Sequence, residues 1–220
     1  MTGWTEYDPY SRWSYSNPTT DSGRMDETAS SQTVAPGFVI SDFVLPSTAS
    51  FSITLEVSGS GDDDFIGFVF GWQDSDHFYL LDWKRYNQNF NWGDAVAVND
   101  DYAEQGLKVK KIDGSWTRDG LWGGSDGLGV STIAGQTGTG WAFNTEYTFD
   151  VELSPGNITI KKDGDLLFDI SDSSFEGGNI GLYGFSQDDL IFSNITYIPE
   201  PTTICLLGLS GLFVRARKSR

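Results

Sequence analysis

Histidine and cysteine, which supply many of the reactive side chains of enzymes, are almost absent from this sequence. There is one of each, His77 and Cys205. A Ser-His-Asp or Cys-His site would have to use His77, which lies at a short polar break between two apolar runs, a pattern typical of a hairpin turn. A single cysteine also excludes an intrachain disulfide. We therefore expect a protein that is not an enzyme and that folds without disulfide bonds.

Basic residues are scarce as well. The chain has 14 Lys and Arg against 31 Asp and Glu, a formal net charge of −17. Residues 199–220 hold four basic side chains and one acidic one, a contribution of +3, so the remaining body carries −17 − 3 = −20. Such a body repels nucleic acid and anionic membranes, so nucleic acid is not expected as a partner. It favours cations, calcium above all, or serves solubility alone.

Long segments with the hydrophobic period of a helix are also lacking. Aromatic residues make up 15% of the chain and there are 26 glycines. This composition favours an all-β fold with many turns. Alternating apolar and polar residues predict roughly ten to thirteen short strands at the spacing of a β-sandwich. An edge strand is expected near Trp4, and residues 114–140 are expected to form a long surface excursion with one short strand.

The centre of the fold is predicted in residues 65–83. In residues 65–72 both strand faces are apolar, which is typical of a central strand. One predicted face carries Ile66, Phe68, Phe70 and Trp72, and the other carries Phe65, Gly67, Val69 and Gly71. Residues 73–76 have the length and polarity of a hairpin turn, and residues 78–83 form the returning strand.

Two stretches of the sequence resemble the C-terminal lectin-like domain of thrombospondins. The first is Asp-Asp-Asp-Phe-Ile-Gly-Phe-Val-Phe-Gly-Trp-Gln at residues 62–73, followed by His-Phe-Tyr at 77–79 and Trp-Lys at 83–84. The second is Gly-Leu-Tyr-Gly-Phe-Ser-Gln-Asp at 181–188, followed by Phe-Ser-Asn-Ile-Thr-Tyr at 192–197. The resemblance implies a concanavalin A-like jelly-roll β-sandwich over residues 1–198, with calcium binding and adhesion. The cysteines of the animal domain are missing here.

Calcium is the cofactor that the residues favour. Asp62, Asp63 and Asp64 lie where the thrombospondin family has its acidic run, and adjacent carboxylates repel one another unless a cation or solvent relieves them. Calcium takes its ligands from clustered oxygens on loops. Asp74 and Asp76 are further candidate ligands in the hairpin turn. Asp100 and Asp101 form another loop pair, and a solvated acidic turn is the alternative for each of these groups.

Two other functions remain open beside adhesion. A carbohydrate-binding lectin is the first, since Trp92, Trp116 and Trp122 lie in glycine-rich segments expected to be loops, where their rings would stack on sugars. A glycoside hydrolase or lyase of the same fold is the second. It is disfavoured because the pattern Glu-x-Asp-x-x-Glu, which would place paired carboxylates on one strand, does not occur.

The last 22 residues form a separate module, residues 199–220. Pro199, Glu200 and Pro201 precede a mostly apolar segment at 202–214, and a basic end with Arg215 and Arg217 follows. This order resembles the PEP-CTERM sorting signal of Gram-negative bacteria, which implies an exosortase-type protease as a partner. The apolar segment is expected to form a short helix that anchors transiently in the inner membrane, with the arginines on the cytoplasmic side.

The resemblance of the tail implies an exported protein of the cell surface or extracellular matrix. Its expected partner there is an extracellular polysaccharide or a surface protein. Met1 is followed by neither a basic segment nor an apolar run, so no signal peptide is predicted. We therefore expect the natural start of the protein to lie upstream or to have been trimmed.

Overall fold

The computed structural model describes residues 3–19, 22–27, 34–59, 61–91, 102–125 and 128–199. The first eight strands are β1 (Thr5–Tyr7), β2 (Trp13–Thr19), β3 (Ser22–Glu27), β4 (Pro36–Ile40), β5 (Ala49–Val57), β6 (Phe65–Asp74), β7 (His77–Lys84) and β8 (Gln88–Asn89). They are followed by β9 (Tyr102–Ala103), β10 (Gly106–Asp113), the helix α1 (Arg118–Gly123), β11 (Val130–Thr137), β12 (Tyr147–Ser154), β13 (Asn157–Lys162), β14 (Asp165–Ile170), β15 (Asn179–Phe185) and β16 (Leu190–Pro199).

The long strands form two seven-stranded antiparallel sheets. The first sheet has the order β1-β4-β15-β6-β7-β10-β11, and the second has the order β14-β13-β12-β5-β16-β3-β2. Strands β8 and β9 pair separately. The prediction of an all-β sandwich is confirmed, and β1 is the expected edge strand beside Trp4. Several neighbouring strands are not consecutive in the chain, such as β4 beside β15 and β5 beside β16, as the jelly-roll prediction requires.

The main hydrophobic core lies between the two sheets and follows the predicted alternation. Along β5, Phe51, Ile53 and Leu55 are buried, and along β12 the inward side chains of Phe149 and Val151 meet them. Burying one side chain of this size contributes roughly 1.5–3 kcal/mol. The turns are those that the residues predict: Gly156, Asp163 and Gly164 all have positive φ, at 78°, 53° and 88°.

The central hairpin is confirmed, but one side chain lies on the face opposite to the predicted one. Strands β6 and β7 pair with Phe65 opposite Lys84, and β6 is in the middle of its sheet. The register shifts between Phe70 and Asp74, where Gly71 has a φ of 60°. Gly71 therefore acts as a bulge, and Trp72 packs on the outer face against Phe78 at 4.6 Å instead of continuing the inner row.

The first sheet also has a buried outer face, as the two apolar faces of residues 65–72 predicted, but the helix that covers it was not predicted. The helix α1 begins after Thr117, whose hydroxyl accepts from the Gly120 N–H at 3.2 Å, and it ends at Gly124, which has a φ of 90°. Leu121 and Trp122 of α1 pack onto Phe65 and the neighbouring aromatic residues of the sheet. The one strand expected in residues 114–140 is present as the largely exposed β11. Residues 118–123 differ from the expected surface excursion, because they form a helix whose apolar side chains cover a second hydrophobic cluster.

The C-terminal module lies outside the described residues beyond Pro199, where β16 ends. The predicted tail helix, with Glu200, Pro201, Arg215 and Arg217, therefore stays a prediction. Among the described residues, no helix has the length and hydrophobicity to cross a membrane.

Candidate functional site: an acidic cleft

Three strand ends bring acidic residues to one end of the sandwich. Strands β6 and β15 are antiparallel, with Phe65 opposite Phe185. The loop before β6 (58–64) and the loop after β15 (186–189) therefore lie together. Strand β3 ends at Glu27 beside them, because Met25 pairs with Leu190 at the start of β16.

The two loops are joined through a buried glutamine. Gln187 is 1% exposed, and its Oε1 accepts from the Asp64 N–H at 2.8 Å while its Nε2 donates to the Asp188 carbonyl at 3.0 Å. The Ser58 N–H donates to the Asp189 carbonyl at 2.9 Å. Between the loops is a cleft of about 350 Å³, lined by Ser58, Gly61, Asp62, Phe143, Gln187, Asp188 and Asp189.

The three consecutive aspartates have different environments. Their carboxylate oxygens lie within 4.8 Å of one another. Asp64 is 5% exposed and forms a salt bridge of 2.6 Å with Lys84, and Asp63 lies 3.3 Å from the same ammonium. Asp62 forms no salt bridge with a described residue and lines the cleft. Asp64 is thus a buried partner of lysine, whereas Asp62 presents its carboxylate to the cleft.

Lys84 is enclosed on the outer face of the first sheet. Its ammonium lies 5.0 Å from the ring of Trp122 and 5.4 Å from that of Phe65. A second buried pair, Lys110 with Asp82, lies under the same helix. Burial raises the pKa of Asp82 and lowers that of Lys110, although each partner opposes the shift of the other. The Lys84–Asp64 and Lys110–Asp82 pairs are enclosed by protein, so we assign them a role in stability and not in ligand binding.

Crowding and burial raise the pKa values of the acidic residues at the cleft. Burial raises the pKa of Asp64 to about 7, although Lys84 opposes the shift. Burial, followed by the charges of Asp188 and Asp62, raises the pKa of Glu27 to about 7. The pKa values of Asp62 and Asp188 are also raised, chiefly by burial. Each charged form is destabilised here, so a proton or a bound cation stabilises the site.

The donor set fits calcium, which the fold family implies. Asp62 and Asp188 offer carboxylate oxygens, which are hard donors on loops, and Asp63 lies beside them. The Ser58 hydroxyl also lines the cleft, but it accepts from Arg24 Nη1 at 3.4 Å. Asp189 also lines the cleft, but it forms a salt bridge with Arg24. The residues at the cleft are therefore chemically suited to a calcium ion, with Asp62 as the central candidate.

The other predicted calcium ligands lie elsewhere. Asp74 and Asp76 are at the opposite end of β6, where Asp74 Oδ1 accepts from the Asp76 N–H at 2.9 Å and lies 2.8 Å from His77 Nδ1. Within the described ranges, the one group of three potential metal ligands with closely placed atoms is that of residues 62–64. Asp74 and Asp76 therefore do not join the acidic cleft. Asp100 and Asp101 lie outside the described residues.

The two predicted sugar-stacking tryptophans that the structure describes, Trp116 and Trp122, do not form an open platform. Trp122 is 1% exposed and packs against Phe65, so the expectation that it lies open on a loop is wrong. Trp116 is half-buried, and its Nε1 donates to the Ser75 carbonyl at 2.7 Å. Trp92 lies outside the described residues.

Several site residues were not assigned from the sequence. Glu27, Asp188 and Gln187 are distant in sequence from the aspartate run, and Lys84 was quoted only as part of the resemblance. The signal for residues 187–188 was available, since they are the last two residues of the stretch 181–188 that resembles the family. It became informative only once Phe65 was known to pair with Phe185.

The fold and the cleft together define a lectin-like β-sandwich with an acidic end. The family model of the thrombospondin C-terminal region matches residues 18–200. The chain therefore belongs to the thrombospondin C-terminal region family, as the resemblance of residues 62–84 and 181–197 implied.

Curated relatives agree with this assignment. The chain is 31% identical over 161 residues to thrombospondin-3b of Danio rerio, which covers 67% of this chain and 17% of that protein. It is 33% identical over 163 residues to thrombospondin-2 of Gallus gallus, which covers 69% of this chain and 14% of that protein. The cartilage oligomeric matrix protein of Bos taurus is 30% identical over 169 residues, covering 68% and 22%. The chain thus spans a small part of the length of these relatives.

Solved structures show the same architecture. The carbohydrate-binding module CBM66 from Bacillus subtilis superposes with a TM-score of 0.56 at 20% identity, covering 90% of this chain and 96% of that one. The lumenal domain of VIP36 in its calcium- and mannose-bound form has a TM-score of 0.56 at 14% identity, covering 86% and 84%. At these identities the similarity establishes the fold alone.

Proposed function

We propose that this chain is a non-catalytic, calcium-binding adhesion module of an exported protein. The observation that carries the proposal is the acidic cleft, which Asp62 and Asp188 line from two loops, neither of them in a salt bridge with a described residue. Membership of the thrombospondin C-terminal region family supports it. VIP36, a neighbour in fold, has been solved in a calcium-bound form.

Calcium would supply positive charge that neutralises the carboxylates of the cleft. The residues of the chain have three roles. Gln187 joins the two loops by a hydrogen bond, Lys84 neutralises Asp64 through a salt bridge, and Asp62 and Asp188 would supply oxygen ligands to the ion. An ion held by both loops stabilises the end of the sandwich, since it favours the folded over the unfolded chain. A stabilised loop pair is a suitable surface for a partner.

Calorimetric titration of calcium into the full 220-residue chain tests the proposal. We expect saturable binding, which Asp62→Asn weakens by about tenfold or more, as loss of one charged ligand interaction implies. Asp165→Asn is the matched control, because Asp165 is exposed on the β13–β14 turn and its substitution removes the same charge. Equal weakening in both variants, or no saturable binding at millimolar calcium, would contradict the proposal.

Adhesion without catalysis is supported by the position and the hydrogen bond of His77, the one histidine of the sequence. His77 lies beside the exposed β6–β7 turn, where it hydrogen-bonds Asp74, and this bond raises the pKa of the imidazole. No nucleophile among the described residues hydrogen-bonds it. Release of reducing ends from a polysaccharide by the purified chain would overturn this part of the proposal.

Sorting through the tail is a further part of the proposal. It rests on the order of the motif alone: Pro199, Glu200 and Pro201, an apolar segment, and the basic end with Arg215 and Arg217. An exosortase-type protease would cut near the tripeptide after the tail had entered the inner membrane. Fractionation of exosortase-positive and exosortase-deficient Gram-negative cells checks it, since the uncut chain should remain with the membrane only in the deficient cells.

A further inference from the structure

Arg85 directly follows β7 and is half-buried. Many basic side chains of the described residues form salt bridges, among them Arg24, His77, Lys84, Lys108, Lys110, Lys111, Lys161 and Lys162. The Arg85 guanidinium is in none of them, and no described residue accepts a hydrogen bond from it. An arginine without a carboxylate partner is unexpected in a chain of net charge −17.

Aromatic rings hold this guanidinium in place. Its central carbon lies 4.0 Å from the ring centroid of Phe143, 4.8 Å from that of Tyr86 and 5.2 Å from that of Trp141. Cation–π contacts use the faces of the guanidinium plane and leave its N–H groups at the edge. The side chain is therefore positioned by aromatic contacts, while no described residue accepts a hydrogen bond from its donors.

The main chain around Arg85 is fixed as well. Its carbonyl accepts from Gln105 Nε2 at 2.8 Å, and Gly140 packs so closely that a Cβ there would lie 1.9 Å from the Arg85 oxygen. Trp141 is 3% exposed and donates through Nε1 to the Asp64 carbonyl at 3.0 Å. Arg85 and the acidic cleft thus share a neighbour, because Phe143 lines that cleft and contacts the guanidinium.

We propose that Arg85, Tyr86 and Phe143 form a subsite for a uronate unit of an acidic polysaccharide, next to the calcium of the cleft. The planar guanidinium matches a carboxylate through two parallel hydrogen bonds. Tyr86 is 50% exposed and offers a ring face to the apolar face of a sugar. This subsite rests on the proposed function, since bound calcium removes the repulsion between the ligand carboxylate and Asp62.

A sugar fits these observations better than an acidic peptide. The two partly exposed rings beside the guanidinium, Tyr86 and Phe143, present flat apolar surface within one sugar width of the charged group. Pyranose rings have a flat apolar face next to their polar substituents, whereas an aspartate or glutamate side chain has none. A carboxylate on a pyranose therefore uses both the guanidinium and the aromatic surface.

Calorimetric titration of tetragalacturonate into the calcium-loaded full chain tests the subsite. We expect binding that is lost with the neutral methyl ester and weakened about tenfold by Arg85→Lys, which keeps the charge and removes the planar donor pair. Lys161→Arg is the matched control, because it also exchanges one basic side chain for another of the same charge, on β13 of the other sheet. Calcium titration of the same variants separates the two proposals.

Each outcome decides either the uronate subsite or the proposed calcium binding. Normal calcium affinity in Arg85→Lys together with weakened tetragalacturonate binding supports the subsite. Three results overturn the subsite and leave the proposed function intact, provided that calcium binding is normal. They are no affinity for tetragalacturonate, equal affinity for it in wild type and Arg85→Lys, and binding of a hexa-aspartate peptide in place of the sugar. Failure of the wild type to bind calcium overturns the proposed function itself.

Discussion

Adjacent residues of the aspartate run have different roles because their side chains enter different environments. Asp64 is the residue before β6, and its carboxylate is buried against Lys84 under Trp122. Asp62 lies two residues earlier and lines the cleft. Substituting the whole run would therefore confound a ligand effect with the loss of a buried ion pair, which is why the calcium test uses Asp62 alone.

We expect Lys84→Met to destabilise the chain by about 3–5 kcal/mol at pH 8, because it leaves a buried carboxylate without its counter-charge. The cost should shrink at pH 5, where Asp64, with a pKa of about 7, is protonated. Urea unfolding at the two pH values measures both effects.

The double variant Lys84→Met/Asp64→Asn is the control for this pair. Removing the second charge should recover part of the lost stability at pH 8, because no unpaired charge then remains buried. If the effects of the two single substitutions simply add, the two side chains are not coupled and the structural role given to Lys84 is wrong.

At the scale of elements, the bulge at Gly71 decides which aromatic residues form the two hydrophobic clusters. It turns Trp72 to the outer face, where the indole stacks on Phe78 and approaches Phe38 at 5.7 Å. The alternation of apolar residues in 65–72 predicted both buried faces correctly. It placed Trp72 on the inner face because strict alternation assumes a strand without an inserted residue.

Gly71→Ala is expected to destabilise the protein more than an alanine at another positive φ. A left-handed conformation costs an L-residue roughly 1–2 kcal/mol. A Cβ at Gly71 would also lie 3.1 Å from Tyr79 and 3.3 Å from Phe175, so these side chains must shift. Denaturant unfolding measures the difference.

Gly156→Ala provides the comparison. Gly156 has a φ of 78°, but a Cβ there would have no heavy atom within 4 Å. Both substitutions lower the free energy of unfolding because alanine disfavours a positive φ. Only Gly71→Ala adds steric crowding by neighbouring atoms. Equal loss of stability in the two variants would show that the bulge tolerates a side chain.

For the whole molecule, the acidic end links stability to pH and to calcium. Asp64 and Glu27 have pKa values of about 7 in the fold, well above those of the unfolded chain. The native state therefore holds more protons than the unfolded state between about pH 4 and 7. Their contribution is fully present below the unfolded pKa and is lost as the pH rises through 7.

We expect the melting temperature in EDTA to fall as the pH is raised from 6 to 8, by about 2–4 °C for each kcal/mol lost. With saturating calcium the order should reverse, since the ion binds deprotonated carboxylates and competes with protons. Thermal melts by circular dichroism at both pH values test this. An EDTA melting temperature that rises over this interval would contradict the assigned pKa directions.

The sequence by itself determined the β-sandwich, its central hairpin and its turns. Alternation along a strand and the residues of a tight turn are local properties, so β5, β12 and the turn at 162–165 could be predicted from their own residues. The position of Asp62–Asp64 at a loop before the central strand was also correct, and the family was identified from the same stretch.

Only the tertiary structure decided which charges meet. Asp188 and Glu27 join Asp62 because antiparallel pairing brings together strand ends that are far apart in sequence, and no local pattern specifies that register. The same holds for Lys84 with Asp64, and for Arg85 against Phe143. Burial then shifts the pKa values of these groups, because removing water destabilises the charged form. The charge of the nearest partner then determines whether the group stays ionised.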